Sequence, residues 1–115
     1  MPQSLASVIV HIIYSTKHRH PWLRKADLRS ELYAYCATVL KEQVDSPAML
    51  INGVEDHIHI LCSLSRKFAI MDVIKETKTE TSKWIKKQDT SCGEFQWQSG
   101  YGIFSVSQSK VEQVK

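Results

Sequence analysis

The sequence of 115 residues lacks a long apolar run, a secretory leader and any closely spaced pair of cysteines. Without about 18 consecutive apolar residues, no transmembrane helix is predicted and no membrane partner is expected. The N-terminus has no charged region before its apolar run and no cleavage site, so no signal peptide is predicted. The three cysteines, Cys36, Cys62 and Cys92, are widely spaced, which favours buried free thiols in a reducing cytoplasm.

The sequence also lacks the short motifs of several enzyme classes. It has no P-loop, G-x-S-x-G, H-E-x-x-H or G-x-G-x-x-G pattern. A histidine-triad nucleotide hydrolase would need a third histidine two residues after His59, where the chain has Leu61. These hydrolase, metalloprotease and dinucleotide-binding readings are therefore excluded.

Composition and charge indicate one ordinary globular domain with a mildly basic surface. Apolar residues make up 43% and charged residues 23% of the chain. The net charge of +3 and the pI of 8.8 permit a polyanionic partner without requiring one. The basic residues crowd two segments, which are either solvated faces or binding surfaces. They are Lys17, His18, Arg19, His20, Arg24, Lys25 and Arg29 in the first segment, and Lys75, Lys78, Lys83, Lys86 and Lys87 in the second.

Hydrophobic periodicity predicts the order strand, helix, strand, strand, helix, strand, followed by the start of a further helix. The predicted strands are Leu5–Tyr14, 48–54, 57–64 and 101–107, the predicted helices are 25–43 and 68–88, and Ser107 or Ser109 caps the last helix. The second and third strands are expected to form a hairpin around "NGVED", with a turn or bulge at Asn52-Gly53.

This order predicts an α+β, ferredoxin-like fold. In the split βαβ arrangement, two helices cover one face of an antiparallel sheet. The start of a C-terminal helix follows the last strand.

Two histidines interrupt the third predicted strand, in "GVEDHIHILCSL". Side chains at i and i+2 of a strand share a face, with Cα atoms about 6.5–7 Å apart. His57 and His59 could therefore bind one divalent cation through their neutral rings, and Glu55 or Asp56 could orient an imidazole. The alternative is that the histidines are tolerated polar residues on a solvent face and the carboxylates are turn residues.

Four blocks of the sequence, in order, resemble the small single-tyrosine transposases of bacterial insertion sequences, which belong to the HUH nuclease superfamily. They are "HIIYSTKHRHPWL", "GVEDHIHILCSL", "VIKETKTETSKWI" and "FQWQSGYGIFSVSQSKVEQVK". The resemblance covers nearly the whole chain, and it implies a single HUH transposase domain over residues 1–115.

The resemblance implies a nuclease and strand transferase that acts on single-stranded DNA carrying hairpins. His57 and His59 match the family's metal ligands, which typically hold Mg²⁺ or Mn²⁺, and Asp56 matches the carboxylate before them. A tyrosine on the C-terminal helix attacks the scissile phosphate and leaves a 5′-phosphotyrosine and a free 3′-OH. Members act as homodimers, often with the tyrosine supplied by the partner.

Residues that could contact DNA lie in both basic segments and among the aromatic residues. The candidate phosphate contacts are Lys17, Arg19, Lys78 and Lys83, and the candidate stacking residues are Tyr14, Trp22 and Trp97.

The sequence departs from the family after Lys115, where the expected nucleophilic tyrosine and a metal-binding glutamine would follow. Tyr101 is only a weak substitute. Either the chain is cut within its catalytic helix or it is a short protein that binds hairpins without cutting, and an end within a predicted helix favours the first. The 115-residue polypeptide is expected to bind metal weakly and to form no covalent intermediate.

Two other functions fit a βαββαβ domain. One is a non-catalytic module that binds RNA or single-stranded DNA on its sheet, for which exposed aromatic residues on the central strands would be expected. The other is a regulatory domain for a small metabolite, with neither nucleic-acid affinity nor metal dependence.

Overall fold

The computed structural model describes residues 8–106, which form a four-stranded antiparallel sheet with two helices on one face. The elements are β1 (Val8–Ser15), α1 (Ala26–Val44), β2 (Ala48–Val54), β3 (His57–Leu64), α2 (Ile70–Gln88) and β4 (Gly102–Val106). The predicted fold class and element order are confirmed. The predicted helix start within 107–115 lies outside the described residues.

The sheet has the strand order β2-β3-β1-β4, and every neighbouring pair is antiparallel. β3 lies between β1 and β2, so the first βαβ unit is split by the strand that carries His57 and His59. Ile12 pairs with Ile60 at the centre of the sheet. The two histidines are therefore presented from a central strand.

Alternation along the central strands separates a buried face from an open one. Val10, Ile12 and Tyr14 on β1 are buried beneath the helices, and so are Ile58 and Ile60 on β3. The residues between them point to the opposite face, because successive strand side chains alternate. We call this the open face; it carries Ile9, His11, Leu50, Asn52, Val54, His57, His59, Leu61 and Phe104.

Each helix buries one apolar stripe against the sheet. In α1 the stripe includes Leu28, Leu32, Cys36 and Leu40, with the spacing of three to four residues that one helical face requires. α1 ends where Asp45 adopts a left-handed conformation with φ of 47°. Within the described residues, no helix is long and apolar enough to cross a membrane.

The three cysteines are free and buried, as predicted. Burial raises the pKa of the Cys36 and Cys62 thiols to about 12. Both stay protonated at neutral pH, which excludes them as nucleophiles because the thiolate is the reactive form.

The predicted hairpin of β2 and β3 is confirmed, and its turn is at Glu55-Asp56. The turn or bulge predicted at Asn52-Gly53 is wrong. Asn52 pairs with His59 and Gly53 with Ile58 inside the ladder. The true turn is held from outside. The Leu23 amide donates to the Glu55 carbonyl and the Thr16 amide to the Asp56 carbonyl, both at 2.9 Å.

Gly53 has a packing role that its place in a strand explains. A Cβ at this position would overlap the His57 carbonyl oxygen and lie 2.9 Å from the Ile58 Cα. Both obstacles are backbone atoms of β3, so neither can move aside without shifting the strand. The close approach of β2 to His57 therefore requires glycine.

We expect Gly53→Ala to lower the free energy of unfolding by about 1–3 kcal/mol, the usual cost of overpacking. Thermal unfolding followed by circular dichroism measures the change. Gly100→Ala is the matched control, because a Cβ there meets nothing within 4 Å. Equal melting temperatures for the two variants would show that β2 and β3 do not approach as closely as described.

Candidate metal centre and nucleic-acid interface

His57 and His59 lie side by side on the open face of β3. Their ring centroids are 4.9 Å apart, and the ring planes meet at 73°. Ile58 and Ile60 alternate with them and are fully buried on the opposite face, which fixes the backbone that presents the imidazoles. The two rings line a cavity of about 310 Å³ together with His11, Asn52 and other residues of β2 and β3.

Asp56 joins His57 to the basic loop, which we define as residues 16–25 between β1 and α1. The Asp56 carboxylate accepts a hydrogen bond from His57 Nδ1 at 2.8 Å. Its other oxygen accepts from Arg19 Nε at 3.1 Å. These two hydrogen bonds, from His57 first and then Arg19, lower the pKa of Asp56 below its ordinary value. An ionised carboxylate can only accept, so Nδ1 of His57 carries its proton and Nε2 is left for another partner.

His59 has a different partner, His11 of β1. The His11 Nε2 and His59 Nδ1 atoms are 3.0 Å apart, and the rings stack with centroids 5.1 Å apart. Desolvation lowers the pKa of His59, and His57 and His11 lower it further. His59 is therefore neutral near pH 7, the form in which an imidazole offers a lone pair.

The donor chemistry of the two rings fits a divalent cation for which they supply two of several ligands. Each ring has its Nδ1 in a hydrogen bond and its Nε2 free of the contacts just described, which is the usual arrangement of metal-binding histidines. Among residues 8–106, no group of three His, Cys, Asp or Glu side chains is placed to hold a metal ion. A cation held here would draw its remaining ligands from water, from phosphate oxygens or from residues beyond the described range.

The basic loop packs directly beside this site. Its Thr16 and Leu23 amides hold the turn that precedes His57, and Arg19 is bound to Asp56 within that turn. His18 and Arg19 adopt left-handed backbone conformations, with φ of 59° and 56°. This unusual geometry turns the chain sharply after β1 and places Arg19 against the hairpin.

The four predicted phosphate contacts lie on two different elements. Lys17 and Arg19 lie on the basic loop and are exposed, although Arg19 already contacts Asp56. Lys83 lies on α2, exposed, with its ammonium 3.8 Å from Glu80. Lys78 donates to the carbonyls of Gln98 and Gly100 at 2.7 and 2.9 Å, so two of its three N–H groups hold the chain before β4.

Of the three candidate stacking residues, one is buried in the core and two are half-buried. Tyr14 is fully buried, so the prediction that it stacks on a base is wrong. Its position on the helix-facing side of β1 explains this, because every second residue of that strand enters the core. Trp97 donates to Thr81 Oγ1 at 3.0 Å and packs edge-on against Phe95, whereas Trp22 is half-buried beside His20.

The sequence model of the IS200-like transposases matches residues 4–115. The chain belongs to this family. Among solved structures, a candidate transposase from Deinococcus radiodurans R1 is similar, with a TM-score of 0.79, 18% identity, and 99% of this chain and 90% of that one covered.

A REP-associated tyrosine transposase bound to a REP hairpin is also similar in structure. Its TM-score is 0.66 and its identity 11%, with 99% of this chain and 66% of that chain covered. At such low identities the two structures show a shared fold. No curated protein sequence matches significantly.

Sequence reasoning within this IS200-like domain missed one residue of the site, His11. It is a polar residue in the middle of an apolar strand, which is a visible signal. Alternation alone would have placed its side chain on the face of the sheet opposite to that of Val10 and Ile12. Its contact with His59 could not be read from the sequence, because it depends on the register of β1 against β3.

Proposed function

We propose that this chain binds single-stranded DNA carrying hairpins and positions a phosphate at His57 and His59. With a tyrosine supplied to the site, such a domain cuts and rejoins the strand. The observation that carries the proposal is the Asp56 carboxylate, which contacts both His57 and Arg19 of the basic loop, at 2.8 and 3.1 Å. The Asp56 side chain thus connects the pair of candidate metal ligands to a basic loop that suits a phosphate backbone.

Family membership supports the reaction class. In the proposed reaction, a tyrosine oxygen attacks the phosphorus and the 3′-oxygen leaves with a proton, giving a 5′-phosphotyrosine and a free 3′-OH. The reverse attack by a 3′-OH rejoins a strand and frees the tyrosine. When bound, Mg²⁺ or Mn²⁺ supplies neutralisation of the charge that grows on the phosphoryl oxygens.

The four tyrosines of the sequence are poorly placed for this attack, so we propose that the nucleophile is none of them. Tyr14 is buried, and burial raises its pKa. Tyr33 and Tyr35 belong to α1, on the helix side of the sheet. Tyr101 is exposed, but its hydroxyl contacts the Met71 sulfur of α2 at 3.2 Å.

Recognition of hairpin DNA is supported by the similar REP-associated transposase, which was solved with a REP hairpin. We propose that the basic loop supplies phosphate contacts, above all through Lys17. A homodimer is the assembly we propose, and the exposed Phe104, at 58% relative accessibility on the edge strand β4, offers apolar surface for it.

The alternative of a sheet-binding RNA or single-stranded DNA module has less support. Among the described residues, the open face of the central strands carries His11, His57 and His59, whereas the exposed phenylalanine Phe104 is on an edge strand. If the domain instead bound a small metabolite, the positive charges of the basic loop would have no evident function.

The test is fluorescence anisotropy with a labelled hairpin oligonucleotide at several salt concentrations. We expect affinity to fall steeply with salt, and Lys17→Ala to reduce the slope of log K against log salt by about 1, the effect of one lost phosphate contact. Lys41→Ala is the matched control, since Lys41 is exposed in the last turn of α1, roughly 22 Å along the helix from its start. Salt-independent binding, or equal slopes for both variants, would contradict the proposal.

A further inference from the structure

The open face holds a third histidine that the proposed metal pair does not use. His11 of β1 is half-buried and contacts His59 across the β1–β3 ladder, Nε2 to Nδ1, at 3.0 Å. Its ring is also 6.4 Å from the Phe104 ring, between centroids. The contact joins two side chains 48 residues apart in sequence, and the sheet register fixes it.

His11 could be a further ligand or a residue that positions a ligand. No group of three potential ligands within residues 8–106 is placed to hold one metal ion, which argues against a three-histidine site. The Nε2 atom of His11 is directed at His59 Nδ1 and is already used in that hydrogen bond. The geometry therefore favours positioning.

The hydrogen-bond partner of His57 differs from that of His59 in what it can do. Its Nδ1 donates to a carboxylate, so its lone pair is on Nε2. For His59 the partner is another imidazole, and either ring could donate. Which nitrogen of an imidazole is protonated is set by the hydrogen bond that the other nitrogen makes.

We propose that His11 is a positioning residue whose Nε2 accepts the hydrogen of His59 Nδ1, which leaves the lone pair of His59 on Nε2. Both candidate ligands are then held in the same tautomer, one by Asp56 and one by His11. This inference rests on the proposed function for its purpose, since the tautomer matters only if His59 binds a cation. The hydrogen bond itself can be tested without metal or DNA.

The experiment uses the 115-residue protein with ¹⁵N-labelled histidine. Long-range ¹H–¹⁵N correlation spectra at neutral pH assign the tautomer of each ring. We expect His59 to be protonated on Nδ1 in the wild type. His11→Gln should preserve this tautomer, because the glutamine oxygen can accept the hydrogen bond in place of Nε2. His11→Phe keeps an aromatic ring but has no acceptor, so the tautomer of His59 should no longer be fixed.

Mn²⁺ affinity is the second measurement. We expect His11→Phe to weaken binding by about 10–100-fold, the usual effect of removing a partner of a metal-binding histidine, and His11→Gln to stay within a few-fold of the wild type. A role of His11 in packing alone would instead make glutamine the more damaging replacement.

The outcomes separate this inference from the proposed function. A wild-type His59 protonated on Nε2 overturns the inference, and this spectrum decides it even if a variant fails to fold. Equal loss of Mn²⁺ affinity in both variants also overturns it. The expected tautomers in a protein that binds no Mn²⁺ would support the role of His11 toward His59 and overturn the metal site.

Discussion

Replacing either His57 or His59 with alanine should weaken Mn²⁺ binding by roughly 100-fold or more. Loss of a partner that only orients a ligand costs about 10–100-fold, and loss of the ligand itself should cost at least as much. Since both rings are only half-buried on the open face, the variants should remain folded. Isothermal titration calorimetry measures the affinity, and thermal unfolding checks the fold.

His18→Asn is the matched control for this prediction. His18 is an exposed histidine of the basic loop outside the site, and its left-handed backbone conformation suits asparagine. It should bind Mn²⁺ like the wild type. If His18→Asn weakens binding as much as His59→Ala, the protein binds metal through scattered histidines and the proposed centre is wrong.

The second large effect concerns stability, at Phe95. This residue is fully buried in the segment between α2 and β4, against Trp97 at 4.8 Å and Trp22 at 6.4 Å between ring centroids. We expect Phe95→Ala to lower the free energy of unfolding by about 3–5 kcal/mol. The melting temperature should then fall by roughly 15–25 °C.

The loss of Phe95 should also disturb the proposed DNA-binding surface. The segment that Phe95 anchors continues into Gln96, whose carbonyl accepts from the Lys17 amide at 2.9 Å, at the start of the basic loop. Phe68→Ala is the control, because Phe68 is the same residue type, exposed before α2, and its replacement should change stability by about 0.5 kcal/mol or less. A Phe95→Ala melting temperature close to that of Phe68→Ala would contradict the described core.

The fold was largely predictable because its strands and helices have clear periodicity. The alternation in β3 puts Ile58 and Ile60 on one face and the histidines on the other. The predicted order of strands and helices is then compatible with only a few sheet topologies. The resemblance to a known family reached the same fold by an independent route.

Features that depend on contacts distant in sequence were harder to predict. Asn52-Gly53 is a strong local turn signal, yet the turn is three residues later at Glu55-Asp56, where amides of the basic loop hold it. Phe95 lies in the irregular segment between α2 and β4 and is nevertheless a core residue. Burial of a side chain in such a segment leaves no periodic pattern in the sequence.

The site was predictable in its residue types and less so in its connections. The spacing of His57 and His59 guaranteed a shared face, and Asp56 was identified as a candidate partner. The contact of Arg19 with that carboxylate and of His11 with His59 required the packing of β1 and its following loop against the hairpin.

The central claim is that His57 and His59 together hold a divalent cation. Pulsed electron paramagnetic resonance of the Mn²⁺-loaded protein tests it most directly, since nitrogen nuclei of coordinated imidazoles modulate the echo. We predict modulation from two imidazoles in the wild type and from one in any Mn²⁺ retained by His57→Ala. Mn²⁺ bound to the wild type without imidazole modulation would contradict the claim.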